Sequence, residues 1–126
     1  MAERIAEADA ATPAFRDRLS RAVARAASLA ERVAKSGEGE EALSRQATSA
    51  LYHVTSAVIM AWEASRLAAS RGDARRLLWA RLVLDHRLTA RDPLGPEGPA
   101  FEDAVAPHLL VGEPASLERV RQLIDG

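Results

Sequence analysis

Three histidines, one carboxylate set in an apolar helix and two tryptophans are the residues of this 126-residue chain from which chemistry could be built. A helical zinc site takes histidines four residues apart with acidic neighbours, and none of His53, His86 and His108 has that partner. His53 and His86 sit on apolar helical stretches and read as structural histidines, hydrogen-bonded within or at the edge of a core. His108 follows a proline and reads as a loop residue. Glu63 lies between Trp62 and Ala64, where burial would raise its pKa. Arg66, three residues on, makes a surface ion pair the simpler reading.

Nucleophilic and phosphate chemistry find no frame. A serine, a histidine and an aspartate can be chosen on paper, but no Gly-x-Ser-x-Gly elbow holds the serine. A glycine-rich phosphate loop and alternating strands and helices are both missing, which excludes a nucleotide-binding fold. No residue is assigned as catalytic, cofactor-binding or metal-ligating. Trp62, Leu78, Trp79, Leu82 and His86 remain as candidates for an interaction surface or a pocket, since large aromatic and aliphatic groups dominate such sites.

The elements that position these residues are helical. Alanine is the most frequent residue and, with Leu, Arg and Glu, gives a helix-favouring composition. Thr12-Pro13 predicts an N-cap and first helical position. Phe15, Leu19, Val23, Ala26, Ala30 and Val33 then share one face. Glu31 and Lys35 are spaced for an i,i+4 ion pair, and residues 36–39 (SGEG) predict a hairpin turn. A second helix is predicted over residues 40–70, with Leu43, Ala47, Ala50 or Leu51, Val54, Val58, Ala61 or Trp62, Ser65 and Ala68 or Ala69 inward. Its small residues Ala47, Ala50, Ala57, Ala61 and Ala64 permit close approach of a neighbouring helix.

Arg71-Gly72-Asp73 predicts a stop followed by an Asp73 N-cap. The third helix, residues 74–91, is apolar on several sides (Leu77, Leu78, Trp79, Leu82, Val83, Leu84, Leu88). It is therefore either central or turned toward another chain, with Arg81 and Asp85 marking a narrow polar strip. Residues 93–99 (PLGPEGP) read as a Pro/Gly loop, residues 100–106 as a short helix and residues 115–125 as a final one carrying Leu117, Val120, Leu123 and Ile124. The expected fold is all-α: one domain over residues 1–126, an antiparallel four-helix bundle with a short extra C-terminal helix, with core helices in 12–92 and a C-terminal segment in 100–126.

Composition narrows the class further. The chain is 48% hydrophobic and 28% charged, with formal net charge −1, so it is globular and carries no bulk signal for nucleic acid. Its basic residues are arginines apart from Lys35, interspersed with Asp and Glu. Cysteine is absent, which removes disulfides and thiol chemistry and suits a reducing compartment. The first residues, MAERIAEADA, lack the basic and apolar regions of a signal peptide. The apolar stretch 54–62, broken by Thr55 and Ser56, is far shorter than the roughly 20 residues of a membrane span. These features predict a cytoplasmic protein.

Two stretches, LYHVTSAVIMAWEASRL (51–67) and RRLLWARLVLDHRL (75–88), resemble the C-terminal helical region of bacterial acyl-CoA dehydrogenase-like proteins. The resemblance lies within residues 51–94, about a third of the chain. It implies a domain that in longer relatives follows the flavin-binding body and contributes to packing between subunits. The flavin-binding, catalytic and thioester-binding segments of that family have no counterpart here, so FAD would enter only through a dehydrogenase partner. The resulting expectation is a non-catalytic helical domain acting as a homodimer or as an accessory subunit of a dehydrogenase-like chain. The alternative is a bundle that holds an acyl or other apolar ligand between the second and third helices, near Trp62 and Trp79.

Overall fold

Helix starts and stops in this chain are set by a few capping groups. A computed structural model describes residues 1–36, 41–90 and 98–125. Thr12 caps the first long helix as expected: the Phe15 N–H donates to Thr12 Oγ1 at 3.2 Å, and the Arg16 N–H donates to the Thr12 carbonyl. Pro13, which has no N–H to satisfy, opens α2 (Pro13–Ser36). Phe15, Leu19 and Ala26 on its apolar face are buried, while Val23, Ala30 and Val33 are half-buried. Glu31 and Lys35 make no ion pair, both side chains being free to extend into solvent at this exposed end. The turn expected at 36–39 falls mostly outside the described residues.

The longest element, α3 (Glu41–Arg71), is the spine of the molecule. At 1.5 Å per residue it is about 46 Å long. It ends at Gly72, whose φ of 68° is left-handed and whose N–H reaches the Ala68 carbonyl at 3.1 Å. The following residue differs from expectation. Ala74, not Asp73, is the N-cap of α4 (Arg75–Val83). The Asp73 carboxylate still accepts the Arg75 N–H at 3.1 Å, and it also accepts the Ala115 N–H at 3.4 Å. The Ala74 N–H completes the tie by donating to the Ala115 carbonyl at 2.9 Å. A short loop before the last helix is thereby fastened to the α3–α4 corner.

α2 and α4 make the largest contacts with α3. Small residues allow this: Ala57, Ala61 and Ala64 of α3 are fully buried, as are Leu77, Leu78 and Ala80 of α4. α4 runs on into a π-helical turn, Leu84–Leu88, short of the single helix to residue 91 that the sequence suggests. Residues 91–97, and with them most of the Pro/Gly loop, lie outside the described residues. The C-terminal segment holds α5 (Gly98–Leu110) and α6 (Leu117–Asp125). α5 begins earlier and ends later than the helix expected over 100–106, so His108 and Pro107 are helical. Pro107 has no N–H to donate to the Asp103 carbonyl four residues earlier, so α5 gives up one helical hydrogen bond there. α6 starts at a Ser116 cap and buries Val120 and Ile124.

The fold is all-α, and the described residues form six helices. The first, α1 (Ala2–Ala6), has no counterpart in the sequence reading; it buries Ile5 and leads into Ala8, Ala10 and Ala11, which are also buried. Instead of four long antiparallel helices there are two, α2 and α3, with short helices gathered at one end. The main core joins Phe15, Leu19, Val58, Ala61, Leu77, Leu78, Val105, Val120 and Ile124 at that end. The other end is a two-helix arm, residues 27–36 and 41–53, in which Ala47 alone of the described residues is fully covered.

Candidate functional site

Leu78 is fully buried in the core and Leu82 is half-buried; Trp79, with 46% of its surface exposed, faces outward. Trp62 is half-buried at the junction of α1 and α3. Its Nε1–H donates to Glu7 Oε2 at 2.7 Å, and the guanidinium groups of Arg4 and Arg66 lie 4.4 and 4.3 Å from the ring centroid. Glu7 is held below the ordinary carboxylate range, chiefly by the Trp62 hydrogen bond and then by the Arg4 and Arg66 charges. This is a tryptophan clamped by cations on the surface, and it fixes α1 to the spine.

The structure does not bring Trp62 and Trp79 to a common cavity. Ala57, Ala61 and Ala64 of α3 and Leu77 and Leu78 of α4 belong to one buried core cluster. Trp79 lines a separate surface hollow with Leu67, Arg71, Arg75 and Leu109.

Glu63 pairs with Arg76 of α4 at 3.0 Å and not with Arg66, which lies 3.9 Å from Glu7. The Arg66 guanidinium is drawn toward the Trp62 face and its anion. His86 Nε2 is 2.8 Å from Glu102 Oε1, which links the π turn to α5. His53 meets the Tyr52 ring edge-on at 5.2 Å. His53, Glu63 and His86 thus occupy three separate surroundings, and no shared acid–base pocket connects them. Among the described residues no group of three or more His, Cys, Asp or Glu could hold a metal ion, and no helix is long and apolar enough to cross a membrane.

The strongest polar cluster is internal. Asp85 of the π turn accepts from Arg18 of α2 at 2.5 Å and from Arg81 of α4 at 3.2 Å. Arg81 also donates to the Leu123 carbonyl at 2.5 Å and stacks 3.8 Å from the Phe101 ring centroid. The Arg81–Asp85 pair expected as a polar strip is therefore a hub joining α2, α4, α5 and α6. Its bonds all run between helices of the fold, which makes it structural.

One surface on α3 was not singled out by the sequence. Leu51 and Tyr52 are 39% and 68% exposed. Together with Thr48, Thr55, Ser56, Ile59, Met60, Glu63 and Arg76 they line a shallow depression of about 630 Å³. Leu51 had been counted as an alternative inner-face residue. The signal was a second stripe, Tyr52, Thr55, Ile59 and Glu63, spaced by three and four on the opposite side of the helix. No family description, no characterised protein and no solved structure matches this chain.

Proposed function

We propose that this chain is a non-catalytic association module that binds a second protein chain along the outer side of α3. The observation that supports this reading is the stripe of Leu51, Tyr52, Ile59 and Met60 on a helix whose opposite side is buried from Val54 to Ala64. Tyrosine and methionine suit an interface, offering large contact area with a polar tip or a flexible thioether. The two-helix arm adds a structural reason. Two antiparallel helices with an alanine-rich seam bury little apolar surface, and helical segments this short are marginal without tertiary packing. Two helices from another chain laid against the arm complete the antiparallel four-helix bundle that the sequence pattern calls for.

The first occupant in this reading is a second copy of the chain. The second is a flavoprotein dehydrogenase body, the partner that the likeness of residues 51–67 and 75–88 to dehydrogenase C-terminal helices implies; FAD would then be held by that partner. Light scattering on the purified chain across a concentration series, alone and mixed with such a body, tests the reading. A mass of two chains, or a mixed complex, is expected, and Tyr52→Asp should lower it to one chain while leaving the helical circular dichroism unchanged. A monomer at all concentrations that ignores the dehydrogenase body overturns it.

A further inference from the structure

The charges of α3 are arranged in an order that complements its own reverse. Between Arg45 and Glu63 the helix carries no Asp, Glu, Lys or Arg for seventeen residues, 46–62, whereas the next longest such stretch of the chain, 104–112, has nine. Burial accounts for one side only: Ala47, Val54, Ala57, Val58 and Ala61 face the fold, but Thr48, Tyr52 and Thr55 are exposed and equally uncharged. Opposite charges bound this outer stripe at each end, Glu41 and Arg45 before it and Glu63 and Arg66 after it. Arg45 and Glu63 are about five helical turns apart and Glu41 and Arg66 about seven, so all four fall on the side of Tyr52 and Ile59. Along the stripe the order is acid, base, uncharged, acid, base. Glu63 meets Arg76 at 3.0 Å and Arg66 lies 3.9 Å from Glu7, but both are surface pairs in which Glu63 keeps 36% and Arg66 64% of its side chain open.

We propose that the occupant of the association surface put forward above, on which this inference rests, is a second copy of the chain laid antiparallel along α3 about a twofold axis near residues 53–54. Arg45 then faces the partner subunit's Glu63, and Glu41 faces the partner subunit's Arg66. Between these ends Thr48 opposes the partner subunit's Ile59, and Tyr52 opposes the partner subunit's Thr55, each contact being made twice as twofold symmetry requires. A parallel pair sets Arg45 on Arg45 and Glu63 on Glu63, which is repulsive at both ends. Charge complementarity therefore selects the direction of the partner, as flanking charges do in paired helices. It also selects the partner, since a second copy carries the reversed order by symmetry. The uncharged middle lets the two helices meet without burying an unpaired ion.

The chain has no cysteine, so single introduced thiols report which positions meet. Under mild oxidation of the full chain, Thr55→Cys, close to the axis, should give a disulfide-linked dimer. Thr48→Cys alone should not, because its two thiols lie about 17 Å apart along the helix; mixed with Ile59→Cys it should. Light scattering supplies a second arm. Arg45→Glu should weaken the dimer about tenfold, since an exposed contact made twice turns from attraction to repulsion, and Arg45→Glu/Glu63→Arg should recover most of the loss. A thermal melt of each variant verifies folding, and the thiol variants keep the test intact if Glu63→Arg loosens its contact with Arg76. Self-linking at Thr48→Cys as strong as at Thr55→Cys, or no recovery in the double variant, overturns the antiparallel pair, while a dimer sensitive to Tyr52→Asp leaves the association surface standing. A chain that stays single but binds the dehydrogenase body through Tyr52 has the same meaning. A dimer indifferent to Tyr52→Asp, or a chain that binds nothing, overturns the surface and the pair together.

Discussion

Asp73 shows how much of this molecule rests on single polar side chains. Its carboxylate is gripped by the Arg75 guanidinium at 2.8–3.1 Å and accepts two backbone N–H groups, and these bonds hold its pKa below the ordinary value. A carboxyl whose folded-state pKa is depressed adds stability above its unfolded pKa and loses it as pH falls through the lower folded value. Asp73→Asn should therefore cost about 1–2 kcal/mol at neutral pH, by the worth of charge-assisted hydrogen bonds. The difference from wild type should shrink below the ordinary carboxylate range, which urea unfolding at pH 7 and near pH 3 would reveal. Asp85 belongs to the same class, since it joins Arg18 and Arg81 across three helices. Asp85→Asn leaves two part-buried guanidinium groups without their anion and should destabilise by roughly 2–3 kcal/mol, less than the 3–5 kcal/mol of a fully buried pair. Little of this was legible in the sequence. The Arg81–Asp85 spacing announced itself, but Arg18, Glu7 and Ala115 are brought in only by the tertiary fold.

At the scale of elements the sequence was most legible where local chemistry fixes the backbone. Thr12-Pro13 marked the start of α2, and Arg71-Gly72 marked the end of α3, because a side-chain cap and a left-handed glycine act within a few residues of the chain. Gly72→Ala is expected to cost about 1–2 kcal/mol. A Cβ there would meet nothing within 4 Å, so the whole cost is backbone conformation. Thermal or urea unfolding of that variant measures it. Close packing of α3 on α4 was likewise visible in the small residues Ala57, Ala61 and Ala64. Ala61→Leu, which forces a larger side chain into a fully covered position, should destabilise by about 1–3 kcal/mol. The short elements were harder to read. α1 is too brief to show a period, and the extent of α5 runs through a proline that ordinarily signals a boundary. The π turn has no local signature, because a single i→i+5 turn from Leu84 to Leu88 is too short to show a period of its own.

For the whole molecule, periodicity revealed which residues are apolar on one side of a helix but not which side meets the core and which meets water. Leu51, Trp62 and Trp79 show the consequence. Leu51 is half-open on α3, Trp62 is clamped between arginines at the α1 junction, and Trp79 points outward from α4, whose Leu77, Leu78 and Ala80 are buried. The burial of much of α4 comes from its place against the spine, so the association surface proposed above is placed on the outer side of α3 and not on α4. The arm of α2 and α3 extends beyond the main core, and its stability is expected to depend on what covers it. Amide hydrogen exchange over residues 43–63, compared between dilute chain and chain at high concentration or in complex with a partner, tests this most directly. The account predicts added protection concentrated on the arm and around Leu51, Tyr52 and Ile59, with the Trp79 face unchanged. Association with no added protection there, or with protection gathered around Trp79 and Leu110 instead, would contradict it.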